Sequence, residues 1–383
     1  MKSFDVIVVG VGSMGSAACY YLSKAGAKVL GLEQFSIPHD HGSHAGQSRI
    51  IRKAYFEHAD YVPLLHRAYE NWAQLEKLTG HQVFYPTGLL YAGPRHHPLI
   101  DGTISSAQLH GIALETLTPQ DQQRDFPQFS LPDDTTTLLE KKAGFITPER
   151  AILLYAEQAI RQGATIKTQQ GVTGWRDAGT HVEVTTPEDT YRCDKLVVTA
   201  GPWAPSQLPG LRPHLHVTRQ VVAWMKPRKW EPFELDSFPC WLVAEDGVPG
   251  AFYGFPVLPV ASFGAPVGLK VAYHHPGTTT NPDAVDRVNT QHEVEVLVQA
   301  VKRFLPQGFD EVLSVKTCLY TNSTDENFIV DFLPDTDKRV VVAAGFSGHG
   351  FKFCSVVGEI MTDLALTGKT NLPISFLHLD RLT

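Results

Sequence analysis

The sequence has little of what marks several common classes of protein. Its five cysteines are an odd number at wide spacings over 383 residues, which argues against a disulfide framework and against paired zinc ligands. Charged residues make up 19% of the chain, its net charge is -7, and no basic run of the kind that binds nucleic acid occurs. No apolar run reaches the length of a membrane span. We therefore expect neither nucleic acid nor a membrane as a partner.

What is present favours a large globular protein. Hydrophobic residues make up 43% of the chain, enough for a large core, and the length suggests about two or three domains. The apolar N-terminus could be mistaken for a signal peptide. Its glycines and the charged Asp5 and Lys24 fit a buried strand and helix better. We expect a cytoplasmic enzyme.

The first 33 residues carry the pattern around which the chain is organised. Residues 6–9 form a continuous apolar run, which is typical of a central strand buried on both faces. The segment G-V-G-S-M-G follows, then a predicted helix over residues 16–27 and a second strand over 28–32. Strand, glycine-rich turn and helix in this order are the context that a dinucleotide-binding fingerprint requires.

Each element of that fingerprint has a physical function in dinucleotide binding. Gly10 permits a tight turn, Gly12 lets the backbone approach a pyrophosphate, and Gly15 allows close packing of helix and strand. Glu33, at the end of the second strand, is placed to accept hydrogen bonds from ribose hydroxyls. The alternative, a glycine-rich turn without a ligand, explains fewer of these features. The fingerprint does not separate NAD from FAD.

A histidine-rich loop follows the second strand. His39, His41 and His44 could chelate a metal, but no partner cluster with metal spacing occurs elsewhere, so we favour a polar loop near the cofactor and expect no metal. Arg49 and Arg52 come next, and if this segment is a helical turn they share one face.

Later segments predict a nucleotide-binding domain assembled from separate pieces. Thr147 and Pro148 mark a helix start, residues 283–305 read as a long helix, and the buried strand 340–344 is expected to join the sheet begun by residues 6–9. We predict an α/β protein with a discontinuous Rossmann-type domain and a second domain built on a mixed sheet. The boundaries are 1–85, 145–215 and 315–383 for the first domain, and 86–144 and 216–314 for the second.

Several further stretches together resemble a known family. They are G-S-H-A-G-Q-S-R-I-I-R at 42–52, Y-G-F-P at 253–256, L-K-V-A-Y-H at 269–274, C-L-Y-T-N-S-T-D-E-N-F-I-V-D at 318–331 and A-A-G-F-S-G-H-G-F-K-F at 343–353. With the N-terminal fingerprint they resemble the monomeric sarcosine oxidase group of flavin amine oxidases, which includes N-methyltryptophan oxidase. The resemblance spans nearly the whole chain, and its last two motifs are specific. It implies that the dinucleotide is FAD.

The resemblance implies roles for individual residues. Cys318 matches the cysteine that carries FAD covalently, through a thioether to the flavin 8α-methyl group. Lys270 matches the lysine held over the flavin, where oxygen is activated. Arg52 and Lys352 match the pair that binds the substrate carboxylate, and two fixed cations suit that task. Lys352 also follows a glycine-rich turn at a helix start, where a basic group is unfavourable for the helix dipole and suggests anion binding.

Other positions match residues beside the flavin or the substrate. Arg49 matches an arginine beside the flavin, while Tyr253, His274 and Tyr320 match residues that line the substrate cavity. We expect Lys270, Arg49, His274 and Tyr320 to be catalytic and Tyr253 to contact substrate. The expected cofactor-binding residues are Gly10, Gly12, Gly15, Glu33, Ser43, His44, Val172, Cys318, Gly348 and Lys352.

The chain departs from the family pattern at a few positions. Ala45 stands where sarcosine oxidases commonly have histidine, and Gln47 replaces the usual aspartate, as it does in pipecolate oxidases. The loop 257–268 is longer than in the relatives and is expected to reshape the mouth of the cavity. These departures affect the choice of substrate rather than the flavin chemistry.

The resemblance implies oxidation of a secondary-amine amino acid to an imine that water hydrolyses, while oxygen is reduced to hydrogen peroxide. Sarcosine is the first expected substrate, a bulkier N-methyl amino acid such as N-methyltryptophan the second, and proline or pipecolate the third. The expected enzyme is a monomer. The alternatives are an NAD(P)-dependent dehydrogenase, an FAD amine dehydrogenase with another electron acceptor, and a flavin-binding module without turnover.

Overall fold

The computed structural model describes residues 2–275 and 277–382 and builds them around two large sheets. Strands are numbered here in chain order. The first sheet comprises β1 (Lys2–Val9), β2 (Val29–Leu32), β9 (Thr165–Lys167), β10 (Gly174–Asp177), β11 (Val182–Thr185), β12 (Thr190–Val198), β19 (Ile329–Phe332) and β20 (Val340–Ala344).

Strand β1 lies at the centre of the first sheet, parallel to β2 on one side and β12 on the other. Val6 and Val8 pack into the apolar cluster on one face, and Ile7 and Val9 pack into the cluster on the opposite face. The predicted strand buried on both faces is therefore confirmed. Strand β20 pairs in parallel with β12 and so joins the same sheet, as expected.

Helices pack against these sheets or connect their strands. Their bounds are α1 (Ser13–Lys24), α2 (Tyr61–Thr79), α3 (Pro98–His110), α4 (Pro119–Asp125), α5 (Pro148–Arg161), α6 (Ala204–Gln207), α7 (Val260–Phe263), α8 (Gln291–Phe304) and α9 (Cys354–Thr367). No helix among the described residues is both long enough and apolar enough to cross a membrane.

Two predicted helices differ in their bounds from the structure. Helix α1 begins directly after Gly12, three residues earlier than predicted, because the fingerprint turn ends there. The predicted long helix over residues 283–305 was wrong in its first third, since α8 spans Gln291–Phe304. A capping box sets this start: Thr290 Oγ1 accepts from Glu293 N, and the Glu293 carboxylate accepts from Thr290 N.

The second sheet takes its strands from two separate stretches of the chain, residues 89–140 and 215–323. Its strands are β5 (Leu89–Pro94), β6 (Glu115–Leu117), β7 (Thr135–Glu140), β13 (Leu215–Lys226), β14 (Cys240–Glu245), β15 (Val248–Phe255), β16 (Leu269–His274), β17 (Thr278–Thr279) and β18 (Glu311–Ser323). Parallel and antiparallel pairs are both present, as a mixed sheet requires. Strand β18 pairs with β13 along its whole length. It therefore runs across the predicted domain boundary at residue 315. The domain boundaries stay a prediction.

A small third sheet corrects the interpretation of the two arginines. It comprises β3 (Arg49–Ile51), β4 (Phe84–Tyr85) and β8 (Gly144–Ile146). Arg49 pairs with Ile146 in a strand, so this segment is not a helical turn, and the condition under which the two arginines would share one face is not met. Side chains alternate between the two faces of a strand, which directs residues three apart to opposite sides. Arg49 and Arg52 consequently reach different partners.

Candidate active site

A single cleft collects most of the predicted site residues. It begins at the fingerprint end of the first sheet, passes the loop that follows β2, and ends between the second sheet and the start of α9. Among the predicted residues, its lining includes Gly10, Gly12, Glu33, Ser43, His44, Arg49, Arg52, Val172, Tyr253, His274, Tyr320, Gly348 and Lys352. Gly15, Lys270 and Cys318 lie behind this lining.

The glycines of the fingerprint have the geometry that a bound dinucleotide needs. Gly10 has φ +84°, and a Cβ there would lie 2.7 Å from Thr199 O. A Cβ on Gly15 would lie 1.8 Å from Gly10 O, so turn and helix can approach only with glycine there. Around Gly12 the space is open, with His44 Nδ1 at 3.8 Å as the nearest atom. No side chain caps α1, which leaves its first N–H groups available to a phosphate.

Glu33 is held at the end of β2 by backbone amides. Val11 N donates to its Oε2 at 2.9 Å, and Phe35 N donates to its Oε1 at 3.0 Å. Burial raises the pKa of Glu33, and these amides oppose the rise by favouring the carboxylate. The fixed carboxyl group lines the cleft where the fingerprint predicts contact with a ribose.

The histidine loop packs against the same part of the cleft. The rings of His39 and His44 meet edge to face, 4.8 Å between centroids. Burial lowers the pKa of His39 to about 4 and that of His44 to about 3, so both are neutral near pH 7. No group of metal-ligating side chains large enough to hold an ion occurs in the described ranges 2–275 and 277–382. Buried His44 Nε2 lacks a hydrogen-bond partner among the described residues, and a bound cofactor can supply one.

Cys318 does not line the cleft itself but lies beside Arg49, which does. Arg49 Nη2 is 3.7 Å from Cys318 Sγ, and the thiol donates to Ser43 O at 3.5 Å. The same nitrogen donates to Ala45 O at 2.6 Å and to Ser43 O at 3.0 Å, which fixes the guanidinium. Burial raises the pKa of the four other thiols, for example that of Cys240 to about 12.

Lys270 does not line the cleft, where it could contact a bound ligand directly. Its side chain is 3% exposed and lies behind the loop 42–48 rather than in the cleft lining. Nζ donates to Gly46 O at 2.6 Å, Ser48 O at 2.8 Å and Ser48 Oγ at 3.2 Å. Burial, with repulsion from Arg49, lowers the pKa of Lys270 well below its usual value, whereas the three acceptors around Nζ favour the ammonium, which has three N–H donors.

At the far end of the cleft, Arg52 is paired with a carboxylate that the sequence did not single out. Arg52 Nη2 donates to both carboxylate oxygens of Glu57 at 2.6 Å, and Arg52 lies over the rings of Tyr55 and Phe56. Although burial opposes ionisation, Arg52 lowers the pKa of Glu57 to about 2. Glu57 occurs in none of the motifs, and its approach to Arg52 is a consequence of the loop after β3.

Lys352 reaches the same end of the cleft from the short 3₁₀ turn Phe351–Phe353, which directly precedes α9. Its Nζ donates to His349 O at 2.7 Å and lies 3.5 Å from the Tyr55 hydroxyl. Burial, together with repulsion from Arg52, lowers the pKa of Lys352 to about 7, and Glu57 partly offsets this. The structure thus brings the two predicted carboxylate-binding cations into electrostatic contact.

A hydrogen-bond chain behind Lys352 fixes the tautomer of His349. Its Nε2 lies 3.1 Å from the carbonyl oxygen of Glu326, which can only accept, so Nε2 carries the proton. Nδ1 then accepts from the Tyr55 hydroxyl at 2.6 Å. Burial lowers the pKa of His349 to about 3, in agreement with a neutral ring.

Aromatic groups complete the lining between the two cations and the second sheet. His274 Nδ1 lies 3.4 Å from the Tyr320 hydroxyl, and burial lowers the pKa of His274 to about 4. The Tyr320 ring packs on Gly348, where a Cβ would lie 2.3 Å from Cε2 of the ring. Burial raises the pKa of the Tyr320 hydroxyl, and Tyr253 lies close enough to raise it further. These contacts bring together Tyr253, His274 and Tyr320, which come from three strands.

The long loop 257–268 is held away from the cleft. Gln47 Nε2 donates to Gly264 O and Pro266 O, each at 2.8 Å, and Gln47 Oε1 accepts from Trp224 Nε1 at 2.9 Å. None of the residues 257–268 contributes to the described cleft lining, so the expectation that this loop shapes its mouth was wrong. Gln47 instead anchors the loop to the segment that precedes β3.

Comparison with known proteins gives this architecture a context. Residues 5–364 match the family model described as FAD dependent oxidoreductase. The chain is 39% identical over 381 residues to "Monomeric sarcosine oxidase" of Streptomyces avermitilis, covering 99% of this chain and 98% of that protein. It is 34% identical to "N-methyl-L-tryptophan oxidase" of Yersinia pestis (strain Pestoides F), covering 99% of both. The solved structure of NikD, an unusual amino acid oxidase essential for nikkomycin biosynthesis, superposes with a TM-score of 0.85 at 25% identity and covers 99% of this chain and 98% of that one.

Proposed function

This chain belongs to the family of FAD dependent oxidoreductases, and we propose that it is an oxidase of small secondary-amine amino acids. Sarcosine is the first substrate, a bulkier N-methyl amino acid such as N-methyltryptophan the second, and proline or pipecolate the third. The relatives named for sarcosine and for N-methyl-L-tryptophan support the N-methyl class. Oxygen is the proposed acceptor of the electrons, with hydrogen peroxide as its product.

The observation that carries this proposal is the buried pair of cations, Arg52 and Lys352. Both line the cleft, and their side chains are 3% and 6% exposed. Charged hydrogen bonds are stronger in such a place than in water, and a guanidinium and an ammonium suit the two oxygens of a carboxylate. An amino acid held there by its carboxylate has its amine directed toward the aromatic groups of the second sheet. Fixing this orientation lowers the barrier to reaction.

Neutral groups near the amine suit a substrate that must lose electrons. His274 is neutral because burial lowers its pKa to about 4, so it does not add a positive charge. The hydroxyl of Tyr320, 3.4 Å away, can exchange hydrogen bonds with an amine nitrogen. The surrounding tyrosine rings exclude water from the space beside these groups. We propose that His274, Tyr320 and Tyr253 shape the amine end of the pocket.

The fingerprint, the open space at Gly12 and the unpaired His44 Nε2 fit FAD, which when bound supplies the electron transfer from amine to acceptor. We propose that Cys318 holds the flavin covalently through its 8α-methyl group, aided by the adjacent Arg49. Lys270 and Arg49 supply positive charge on one side of the cleft, where reduced oxygen species carry negative charge.

We further infer that the enzyme acts as a monomer, which the name of the sarcosine-oxidising relatives supports. Its cytoplasmic location stays a prediction.

A peroxide assay with purified holoprotein tests the proposed reaction. The substrates are sarcosine, N-methyl-L-tryptophan, L-proline, L-pipecolate and, as a control without a carboxylate, N-methylethanolamine. We expect peroxide release with an N-methyl amino acid and none with the control amine. Replacing Arg52 by Met should raise KM by about tenfold or more, because a buried ionic hydrogen bond to the carboxylate is lost.

Two results would contradict the proposal in different ways. If an amino acid bleaches the flavin but no peroxide forms, the protein is a dehydrogenase that uses another acceptor. If none of the amines bleaches the flavin, the protein is not an oxidase of these amino acids.

A further inference from the structure

The positions of the Lys270 ammonium and the Arg49 guanidinium depend on one short turn, residues 46–48. An ammonium has three donors, and all three acceptors within reach of Lys270 Nζ belong to Gly46 and Ser48. Arg49 Nη1 donates to the same carbonyl oxygen of Ser48, at 2.9 Å. A shift of the backbone at residues 46–48 would therefore move Lys270 and Arg49 together.

This turn is held in a conformation that side chains disfavour. Gly46 has φ +119°, and Gln47 has φ +68°, in the left-handed region. A Cβ on Gly46 would lie 3.4 Å from Arg49 Nη1 and 3.6 Å from Lys270 Nζ, so the turn passes closely between both cations. Sparsely populated backbone conformations persist only where the surroundings hold them in place.

Glu149 holds this turn from outside the cleft. It belongs to the first turn of α5, over 100 residues away in the chain, and does not contribute to the cleft lining. Its Oε1 accepts from Gly46 N at 2.6 Å and from Gln47 N at 3.1 Å. Although burial opposes ionisation, these amides and Arg49 lower the pKa of Glu149. A carboxylate is thus present opposite two cations, with one peptide segment between them.

We propose that Glu149 is a positioning residue for the flavin, which fixes the Gly46–Gln47 turn and through it the ammonium of Lys270 and the guanidinium of Arg49. Its role here is to hold the two positive charges in one place relative to the bound flavin. This inference rests on the proposed function for the flavin site and for the reaction with oxygen, but not on which amine is the substrate.

The chain contains a matched control for this arrangement. Glu76 Oε1 also accepts from two successive backbone amides, Val83 N at 2.7 Å and Phe84 N at 2.8 Å. Glu76 is partly buried, like Glu149. The two residues that donate to Glu76, Val83 and Phe84, do not line the cleft. Removing either carboxylate breaks an equivalent clamp, but only that of Glu149 supports the cations.

The test uses the holoprotein with its flavin reduced by light, so that no amine is needed. The variants are Glu149→Ala, Glu149→Gln and Glu76→Ala. We measure the absorption spectrum of the oxidised flavin, the rate of its reoxidation by oxygen, and Tm. Glu149→Ala should shift the flavin bands and slow reoxidation by about tenfold to a hundredfold, as misplaced catalytic groups do.

The other variants separate positioning from general stability. Glu149→Gln should lose less of the rate than Glu149→Ala, because its amide oxygen can still accept from both N–H groups. Glu76→Ala should lower Tm but leave the spectrum and the reoxidation rate unchanged. If Glu149→Ala does not fold, Glu149→Asp takes its place. Its side chain is shorter by one methylene, so its carboxylate lies farther from the two amides. We expect it, too, to shift the flavin bands and slow reoxidation.

A Glu149→Ala or Glu149→Asp protein with the parent spectrum and the parent reoxidation rate would overturn the inference. Failure of the proposed oxidase is a separate result, since the reduced flavin of the parent would then not react with oxygen. In that case the flavin spectrum decides: a band shift in the Glu149 variant, absent in Glu76→Ala, supports the positioning role, and unshifted bands refute it.

Discussion

Arg52 Nη2 donates to both carboxylate oxygens of Glu57 at 2.6 Å, at the end of the cleft where we place the substrate carboxylate. Both residues line the cleft, and Lys352 lies close enough to influence the pKa of Glu57. The protein therefore provides its own carboxylate to the cation pair. A substrate carboxylate must compete with Glu57 for the guanidinium of Arg52.

Replacing Glu57 by Gln should strengthen the binding of simple carboxylates. The neutral amide competes less well for Arg52, so the Kd of acetate should fall by about tenfold, the equivalent of ~1.4 kcal/mol in ionic hydrogen bonding. Titration of the flavin absorbance with acetate measures this Kd. Glu359→Gln is the control, because it breaks the remote pair of Glu359 with Arg67 and should leave the Kd unchanged. A higher Kd in Glu57→Gln would show that Glu57 orients Arg52 for binding.

Acetate affinity should also decrease as the pH rises through about 7. Burial and Arg52 lower the pKa of Lys352 to about 7, so its ammonium is present below that pH and lost above it. Arg52 stays charged, Glu57 stays ionised, and His349 stays neutral across this range, because the pKa of Glu57 is about 2 and that of His349 about 3. Lys352→Met should bind acetate more weakly at pH 6 and lose the pH dependence. An unchanged profile in that variant would assign the titration to another group.

Cys318 should retain the flavin when the protein is denatured in acid. After precipitation, the yellow chromophore should stay with the pellet of the parent and pass into the supernatant of Cys318→Ser. Cys240→Ser is the control, since burial raises the pKa of that thiol to about 12 and no flavin contact is expected there. Flavin in the supernatant of the parent would exclude a covalent link.

Gly348→Ala should disturb both stability and the pocket. Its Cβ would lie 2.3 Å from Tyr320 Cε2 at a backbone φ of +77°, so the ring must move. We expect a loss of about 1–3 kcal/mol in the free energy of unfolding, measured with urea, together with a raised KM. Gly210→Ala, where a Cβ meets nothing within 4 Å, should change neither quantity. An unchanged KM in Gly348→Ala would mean that Tyr320 does not contact substrate.

Local sequence determined the nucleotide-binding end of the protein. The apolar run in β1 and the spacing of Gly10, Gly12 and Gly15 predict one strand, one turn and one helix, because each feature acts through neighbouring backbone atoms. The position of Glu33 follows from the length of that unit. The later motifs likewise indicated residues such as Lys352 and Tyr320, which do line the cleft.

Tertiary structure alone decided how these groups are paired. Pairing of β3 with β8 sends Arg49 to Cys318 and Arg52 to Glu57, although a helical turn would have placed the arginines together. Contacts between distant segments also place Glu149 on the Gly46 turn and keep Lys270 behind it. Periodicity in a sequence reports which side of its own element a residue faces. The partner of a buried charge depends on which other element packs there, and no local pattern encodes that choice.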